Sequence, residues 1–538
     1  LKAFDPIGSV LEGHKLIEAS AGTGKTTAVT SLYLRLLLER HLLVREILVI
    51  TFTNAAIEEL RTRVRQILSH AKMAFERGTS DDSFLAELLK KTRNHEDAQI
   101  LLENALYAFD EAAIFTIHGF CQRVLQEKAF ESAAPFDMDL MADPTPILKE
   151  IRDDYWRLQI YEAAPLFQQF VLSKGLTPET LFQTVGRFPS NPFLRVIPQC
   201  QGPDPERLKS SEEQLLLEFQ GLRESWNTNE RMVEDVLLHY EGLKRNQYKE
   251  GVVLRCLEEV KQYLSSAILF ELPASFSKLC PTSLAEATRN GYQPPRNSFF
   301  QAAGQYAQVY KSVEQLYEEQ LLALRVALQH FVKAELKKRT RHQNVRFFDD
   351  LLLDLYGALH QDKKSTLAPA LRDQYKAVLV DEFQDTDPMQ YFILSSVFTD
   401  PSSPLFLIGD PKQAIYSFRG ADVFAYMKAA EEVPETFTLE KNWRSSPNLV
   451  AAVNTLFRRA ARPFVFEGIG FHEVKAANPA VGREFLWNGE PEAAPLKLWF
   501  MRRPPENDKR GISDSSANAL IPRAVAGEII SLLEAAKN

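Results

Sequence analysis

Cysteine is scarce. The 538 residues hold four, Cys121, Cys200, Cys256 and Cys280, and no two are closer than 24 positions. No CxxC pair exists, which argues against a zinc or iron–sulfur centre. So few thiols in this length suit a reducing, cytoplasmic setting. Long apolar runs are also missing. None approaches the ~20 residues of a bilayer-spanning helix, so no membrane partner is expected. The N-terminus lacks a basic stretch followed by an apolar one, so no signal peptide is expected. It opens on Leu1, as a processed or excised piece would. A surplus of positive charge is absent too, and the net charge is −8. That argues against a wholesale polyanion binder, although basic patches and aromatic platforms can hold nucleic acid on an acidic protein. The 45% hydrophobic and 25% charged fractions are those of an ordinary globular chain. The length suggests roughly three to four domains.

Two segments far apart in the chain carry the chemistry. The first is Ala19-Ser20-Ala21-Gly22-Thr23-Gly24-Lys25-Thr26. Its spacing is that of a phosphate-binding loop whose backbone N–H groups, lysine and threonine serve phosphates and Mg²⁺. Ala19 stands where the strict pattern has glycine, a change that tolerates a small side chain only. The second is Val380-Asp381-Glu382-Phe383-Gln384-Asp385. Asp381 suits a metal and Glu382 suits polarising a water. Two adjacent acids after an apolar run repel unless a cation sits nearby. Together the segments describe one Mg-ATP site. Taken singly, they could be a glycine-rich turn and a solvated acidic turn.

Patterning places these segments on a parallel α/β sheet. Lys15–Glu18 reads as a strand, Thr26–Arg40 as a helix, Glu46–Thr53 as a second strand and Ala55–Leu68 as a helix. From about Gln126 to Gln343 the text is mostly helical. Strands return at Ala377–Val380, Leu405–Ile408 and Thr436–Leu439. The expected organisation is an α/β domain of residues 1–125 and 344–432, split by a helical insertion at 126–343. A further α/β portion spans 433–538. In it Leu496–Phe500 reads as a strand, Arg502–Ser516 as a polar loop and Ile521–Ala536 as a helix.

Other segments suit nucleic acid. Phe52, Thr53 and Asn54 end the second strand, and Thr116 and His118 have similar company. His118 alone is also an ordinary structural histidine. Tyr416, Phe418 and Arg419 put two aromatics and a cation within four residues, suited to stacking on bases. Core packing is the alternative for the two rings. Gln413 follows a strand end where it could face a γ-phosphate. Arg444, in Asn442-Trp443-Arg444-Ser445, could stabilise charge there, or simply form a surface ion pair. The basic run Lys333–Arg346 is either a solvated helix face or a phosphate contact.

These segments, in this order, resemble the superfamily 1 DNA helicases of the UvrD–RecB type. Ile17–Thr26, Phe115–Arg123 and Asp381–Pro388 lie especially close to the RecB-type branch. The resemblance implies a RecA-like P-loop domain with a parallel sheet, split by a large helical insertion, plus the start of a second RecA-like domain. It implies ATP and Mg²⁺ as cofactors, with Lys25, Thr26 and Asp381 on phosphate and metal. Glu382 would activate water, and Gln413 and Arg444 would sense the γ-phosphate. Phe52, Thr53, Asn54, Thr116, His118, Tyr416, Phe418 and Arg419 would face single-stranded or duplex DNA. It also implies 3′→5′ movement, RecC-like and RecD-like partner subunits, and a part in double-strand break repair and recombination within an exodeoxyribonuclease V. Two departures stand out. Glu12 occupies the place where a glutamine commonly reads adenine, and the later helicase motifs and the nuclease domain do not occur. The chain therefore reads as an N-terminal motor fragment with weak or no ATPase alone. The alternatives are a nucleotide-dependent interaction module in a DNA repair complex, and a P-loop NTPase unrelated to nucleic acid.

Overall fold

The computed structural model describes residues 1–132, 139–141, 143–185, 195–360, 366–400, 402–416, 421–477, 486–487, 490–491, 494, 496–502 and 511–536. The chain divides into two compact units, one of Leu1–Phe136 with Phe348–Asn538 and one of Asp137–Phe347. The fold is α/β with a helical insertion.

The first unit is built on a seven-stranded, fully parallel sheet. From edge to edge its strands are Lys2–Ala3, Glu435–Thr438, His14–Glu18, Leu405–Gly409, Ala377–Val380, Ile47–Thr51 and Ile114–Thr116. The three inner strands Ile47–Thr51, Ala377–Val380 and Leu405–Gly409 are buried at every position. Their unbroken apolar text has that cause, since helices cover both faces of a parallel sheet. Helix α1 (Lys25–Arg40) turns eleven residues, Ala28 to Leu38, into the core, among them a buried Arg35. That guanidinium is satisfied by Glu39 and by the carbonyls of Pro6 and Ser9, which ties down the N-terminal segment.

Most expected elements form with shifted ends. The second strand stops at Thr51 rather than Thr53, because Thr53 leaves the ladder and accepts the Ala56 N–H as a helix cap. Helix α2 (Asn54–Arg77) outruns its expected end at Leu68. Ala71, Ala74 and Phe75 keep its apolar face buried until Gly78 takes a left-handed φ of 72°. Glu435–Thr438 pairs with His14–Glu18, so the first sheet reaches beyond the expected boundary at residue 432. Leu496–Phe500 is not a strand. Leu498, Trp499 and Phe500 are exposed, and no ladder partner meets them among the described residues. The last helix starts early, at Asp514, capped by Ser513, and it buries none of its side chains.

The second unit is helical. Its two longest helices, Pro205–His239 and Ser298–Gln343, share a core with shorter ones around an aromatic centre. Phe167, Phe170, Phe270 and Tyr317 meet there with ring centroids 5.1–6.1 Å apart. The unit's two ends lie side by side, Asp139–Leu140 pairing in parallel with Val345–Arg346. Within the basic run, Arg339 is occupied by Asp154 at 2.5 Å, Glu150 at 3.2 Å and Glu335 at 3.4 Å, and Lys338 also reaches Glu335. At least that part of the run is an internal ion-pair network.

Candidate functional site

Every chemistry-bearing segment of the α/β unit sits at the C-terminal end of a sheet strand, the rim where open parallel sheets bind ligands. The phosphate loop follows His14–Glu18. Ala19 is fully buried and its N–H donates to Gly409 O at 2.9 Å, so only a small side chain fits there. Thr23 closes the loop, donating from N and from Oγ1 to Ser20 O. Gly22 and Gly24 hold φ values of 79° and 92°, which an L side chain rarely adopts. Ala21 is exposed, and Lys25 and Thr26 open helix α1 half-buried.

The Asn442–Ser445 turn lies against this loop. Asn442 Nδ2 donates to Ala21 O at 2.9 Å, and the Trp443 N–H donates to Gly22 O at 2.8 Å. Asn442 Oδ1 accepts the N–H groups of Arg444 and Ser445. A Cβ on Gly22 would stand 2.8 Å from Arg444 Cβ, so this close approach is a second reason for glycine. Arg444 and Trp443 are both exposed at the loop. The Trp443 ring adds an exposed aromatic surface beside the phosphate loop.

Lys25 Nζ stands 2.5 Å from Glu382 Oε2 and 3.5 Å from Gln413 Oε1. Two residues from distant segments therefore converge on the Lys25 ammonium. Glu382 sits in the left-handed region at φ 53°, a strained place for a side chain with Cβ. Burial, and then the neighbouring Glu382 carboxylate, push the Asp381 carboxyl up to about 6, against the pull of Lys25. Asp385 is raised to about 6 by the same two causes, and its buried Oδ1 has no hydrogen-bond partner. Crowded acids, an orphaned carboxylate oxygen and a loop of left-handed glycines fit a cation held beside a polyanion. Among the described residues no group of three or more His, Cys, Asp or Glu side chains could hold a metal unaided. One carboxylate plus ligand phosphates is the usual Mg²⁺ arrangement.

The segments singled out for nucleic acid are brought together in part. Phe52 and Tyr416 stack with centroids 5.3 Å apart and planes at 25°. Thr51 pairs in register with Thr116, so the two strand ends are neighbours. Thr53 and Thr116 both act as helix caps, Thr116 Oγ1 accepting the Gly119 N–H at 3.1 Å. Asn54 is exposed at the start of α2. His118 Nε2 lies 4.0 Å from Asp349 Oδ1 and edge-on to Phe348, and burial lowers its pKa. Phe418 and Arg419 lie outside the described residues. Glu12 is exposed and ion-paired with Arg40.

A polar set that the linear text does not signal lies behind the site. Lys412 is held between Glu18 and Asp410, with the latter carboxylate at 2.7 Å. Gln384 joins Glu382 to Asp410. Each of these lies within three residues of a recognised segment. Nothing in the linear text shows that they face one another.

Comparison with known proteins adds to this geometry. Residues 3–434 match the UvrD/REP helicase N-terminal domain. The chain is similar to the RecBCD enzyme subunit RecB of Escherichia coli (strain K12), 35% identical over 525 residues, covering 95% of this chain and 43% of that protein. The subunit of the same name from Haemophilus influenzae is 32% identical, covering 91% and 43%. That from Chlamydia pneumoniae is 28% identical, covering 92% and 46%. The chain thus spans a little under half the length of these relatives. No helix among the described residues is long and apolar enough to cross a membrane.

Proposed function

The chain belongs to the UvrD/REP helicase family, and from that premise we propose that it is the ATP-driven motor portion of a RecB-type DNA helicase subunit. The observation that carries this reading is the convergence of Lys25, Glu382 and Gln413 at the phosphate loop. Bound Mg-ATP would supply the phosphoanhydride whose hydrolysis drives movement. Lys25 and the loop N–H groups would hold its phosphates, and Thr26 and Asp381 its Mg²⁺. Glu382 would orient and deprotonate the attacking water. Gln413 and Arg444 would meet the γ-phosphate. In the structure Glu382 occupies the Lys25 ammonium. Phosphates compete for that ammonium, and their arrival would release the carboxylate for its work on water.

Phe52, Thr53, Asn54, Thr116, His118, Tyr416, Phe418 and Arg419 would face DNA, with the Phe52–Tyr416 stack as the described platform. In this reading residues 1–125 and 344–432 make the first RecA-like domain, extended through the strand ending at Thr438. Residues 126–343 are the insertion, and a second RecA-like domain begins after that strand. Movement is 3′→5′, and the assembly would include RecC-like and RecD-like subunits in a cytoplasmic complex acting on double-strand breaks.

The test is equilibrium binding of Mg-ATP and of a single-stranded oligonucleotide, with turnover measured beside a Lys25→Ala control. The expected result is nucleotide binding weakened roughly 100-fold in the control, the worth of a charged phosphate contact. Any turnover should fall with nucleotide binding in the control. Nucleotide binding indifferent to Lys25→Ala would overturn the reading.

A second reading, an interaction module within a DNA repair complex, is favoured by the helix Asp514–Ala535. Its Ile521, Val525, Ile529 and Leu533 recur at one helical face, all exposed. Capture of a partner subunit without nucleotide or DNA would support it.

A further inference from the structure

Gln384 has no part in the reading above, yet it is 2% exposed and fully engaged. Its Nε2 donates to Glu382 Oε2 at 2.8 Å and to Asp385 Oδ2 at 3.2 Å. Its Oε1 accepts the Asp410 N–H at 2.9 Å. Asp410, also 2% exposed, accepts from Gln413 Nε2 at Oδ2, 2.7 Å away. Gln413 Oε1 lies 3.5 Å from Lys25 Nζ, which lies 2.5 Å from Glu382 Oε2. Five residues thus close a ring across two paired strands, Ala377–Val380 and Leu405–Gly409, and the first turn of α1.

The room for this bridge is built in. A Cβ at Gly409 would stand 2.7 Å from Gln384 Oε1 and 3.0 Å from the Gln384 backbone nitrogen. Position 409 has no need of glycine for its own backbone, because its φ is not in the left-handed region. The close approach of the amide is what excludes a side chain. A primary amide offers donors to Glu382 and Asp385 and an acceptor to Asp410 from one planar group. A glutamate there would set a further carboxylate against Glu382 and Asp385.

We propose that Gln384 is a positioning residue that couples Glu382 to Gln413. The carboxylate that handles water and the amide that meets the γ-phosphate then move as one. The proposal rests on the ATP reading of the site. A change at the γ-phosphate reaches Gln413, passes through Asp410 and Gln384, and arrives at Glu382.

The test is binding of fluorescently labelled ADP and of a labelled non-hydrolysable ATP analogue at fixed Mg²⁺. The parent chain is compared with Gln384→Met, Gln384→Glu and Gly409→Ala. ADP affinity should stay within about twofold in Gln384→Met, because the phosphate loop is untouched. Its preference for the ATP analogue over ADP should fall roughly tenfold, the loss of a hydrogen bond to a charged group. Gly409→Ala should reproduce that fall from the opposite side of the bridge. An unchanged preference in Gln384→Met overturns the proposal. So does an equal loss of both affinities, which would mean that the amide only holds the fold. If Gln384→Met does not fold, the isosteric Gln384→Glu decides by the same ratio, and a failure of every variant to fold also counts as the merely structural outcome. Nucleotide binding by the parent that ignores Lys25→Ala would sink the ATP reading itself, a result distinguishable from failure of the coupling.

Discussion

The two units bury polar chemistry in opposite ways. In the α/β unit three buried carboxylates are crowded at one rim. Asp381, Asp385 and Asp410 lie within three adjacent segments, with Lys25 and Lys412 among them. In the helical unit tyrosine hydroxyls are scattered through an aromatic core and find internal acceptors. Tyr155 donates to Leu324 O, Tyr248 to Lys278 O and Tyr263 to Leu269 O. Burial raises the pKa of all three, so they stay neutral. Hydroxyls satisfied from within stabilise a fold. Acids left short of partners hold a place for something from outside. On the proposed reading, the helical unit is scaffold and the α/β unit carries the chemistry.

The largest expected effect tests the scaffold. Phe170 is fully buried against Phe167, Phe270 and Tyr317. Phe170→Ala should cost about 3–5 kcal/mol of stability in the helical unit. Denaturant unfolding should then show an early transition while nucleotide affinity stays unchanged. A parallel loss of nucleotide binding would break the division of labour.

Next comes the rim. The folded pKa of Asp381, about 6, lies above its unfolded value near 3.9. The unfolded chain therefore holds fewer protons between these values, and the ionised side chain weakens the fold as pH rises from about 4 to 6. Asp381→Asn should remove that penalty. Its gain over the parent should grow across the window, level off above it at roughly 3 kcal/mol, and vanish with saturating Mg-nucleotide. Melting temperatures across pH check this, and a gain that is flat with pH would contradict it.

The smallest effect sharpens the comparison on the nucleic-acid side. Tyr416→Ala breaks the stack with Phe52 and should weaken oligonucleotide binding by about tenfold, near the 1–3 kcal/mol of one stacked base. Titration by fluorescence anisotropy reads it. Equal affinity would reduce the stack to packing.

Legibility in the sequence followed the same divide. The inner strands were readable because a parallel strand buried on both faces must be continuously apolar. The loop was readable because left-handed turns around phosphate demand glycine at fixed positions. Strand order was not readable, and so neither was the ring through Gln384 and Asp410, which exists only because Ala377–Val380 and Leu405–Gly409 are neighbours. Leu496–Phe500 misled because an apolar run carries strand propensity with or without a ladder to join. The helical unit gave its class but not its packing, since helix periodicity says which face is buried and not against what.

The strand Glu435–Thr438 bears on where this polypeptide can be divided. It lies between Lys2–Ala3 and His14–Glu18, the strand that delivers the phosphate loop. A cut at residue 434, where the family match ends, would strip that neighbour away. His14–Glu18 would become a bare sheet margin with unpaired N–H and C=O groups, a template for self-association. The same cut would remove Asn442 and Trp443 from the loop carbonyls they cover. The smallest piece able to keep its nucleotide loop in shape is therefore longer than the stretch matching the UvrD/REP helicase N-terminal domain, and must run past Ser445.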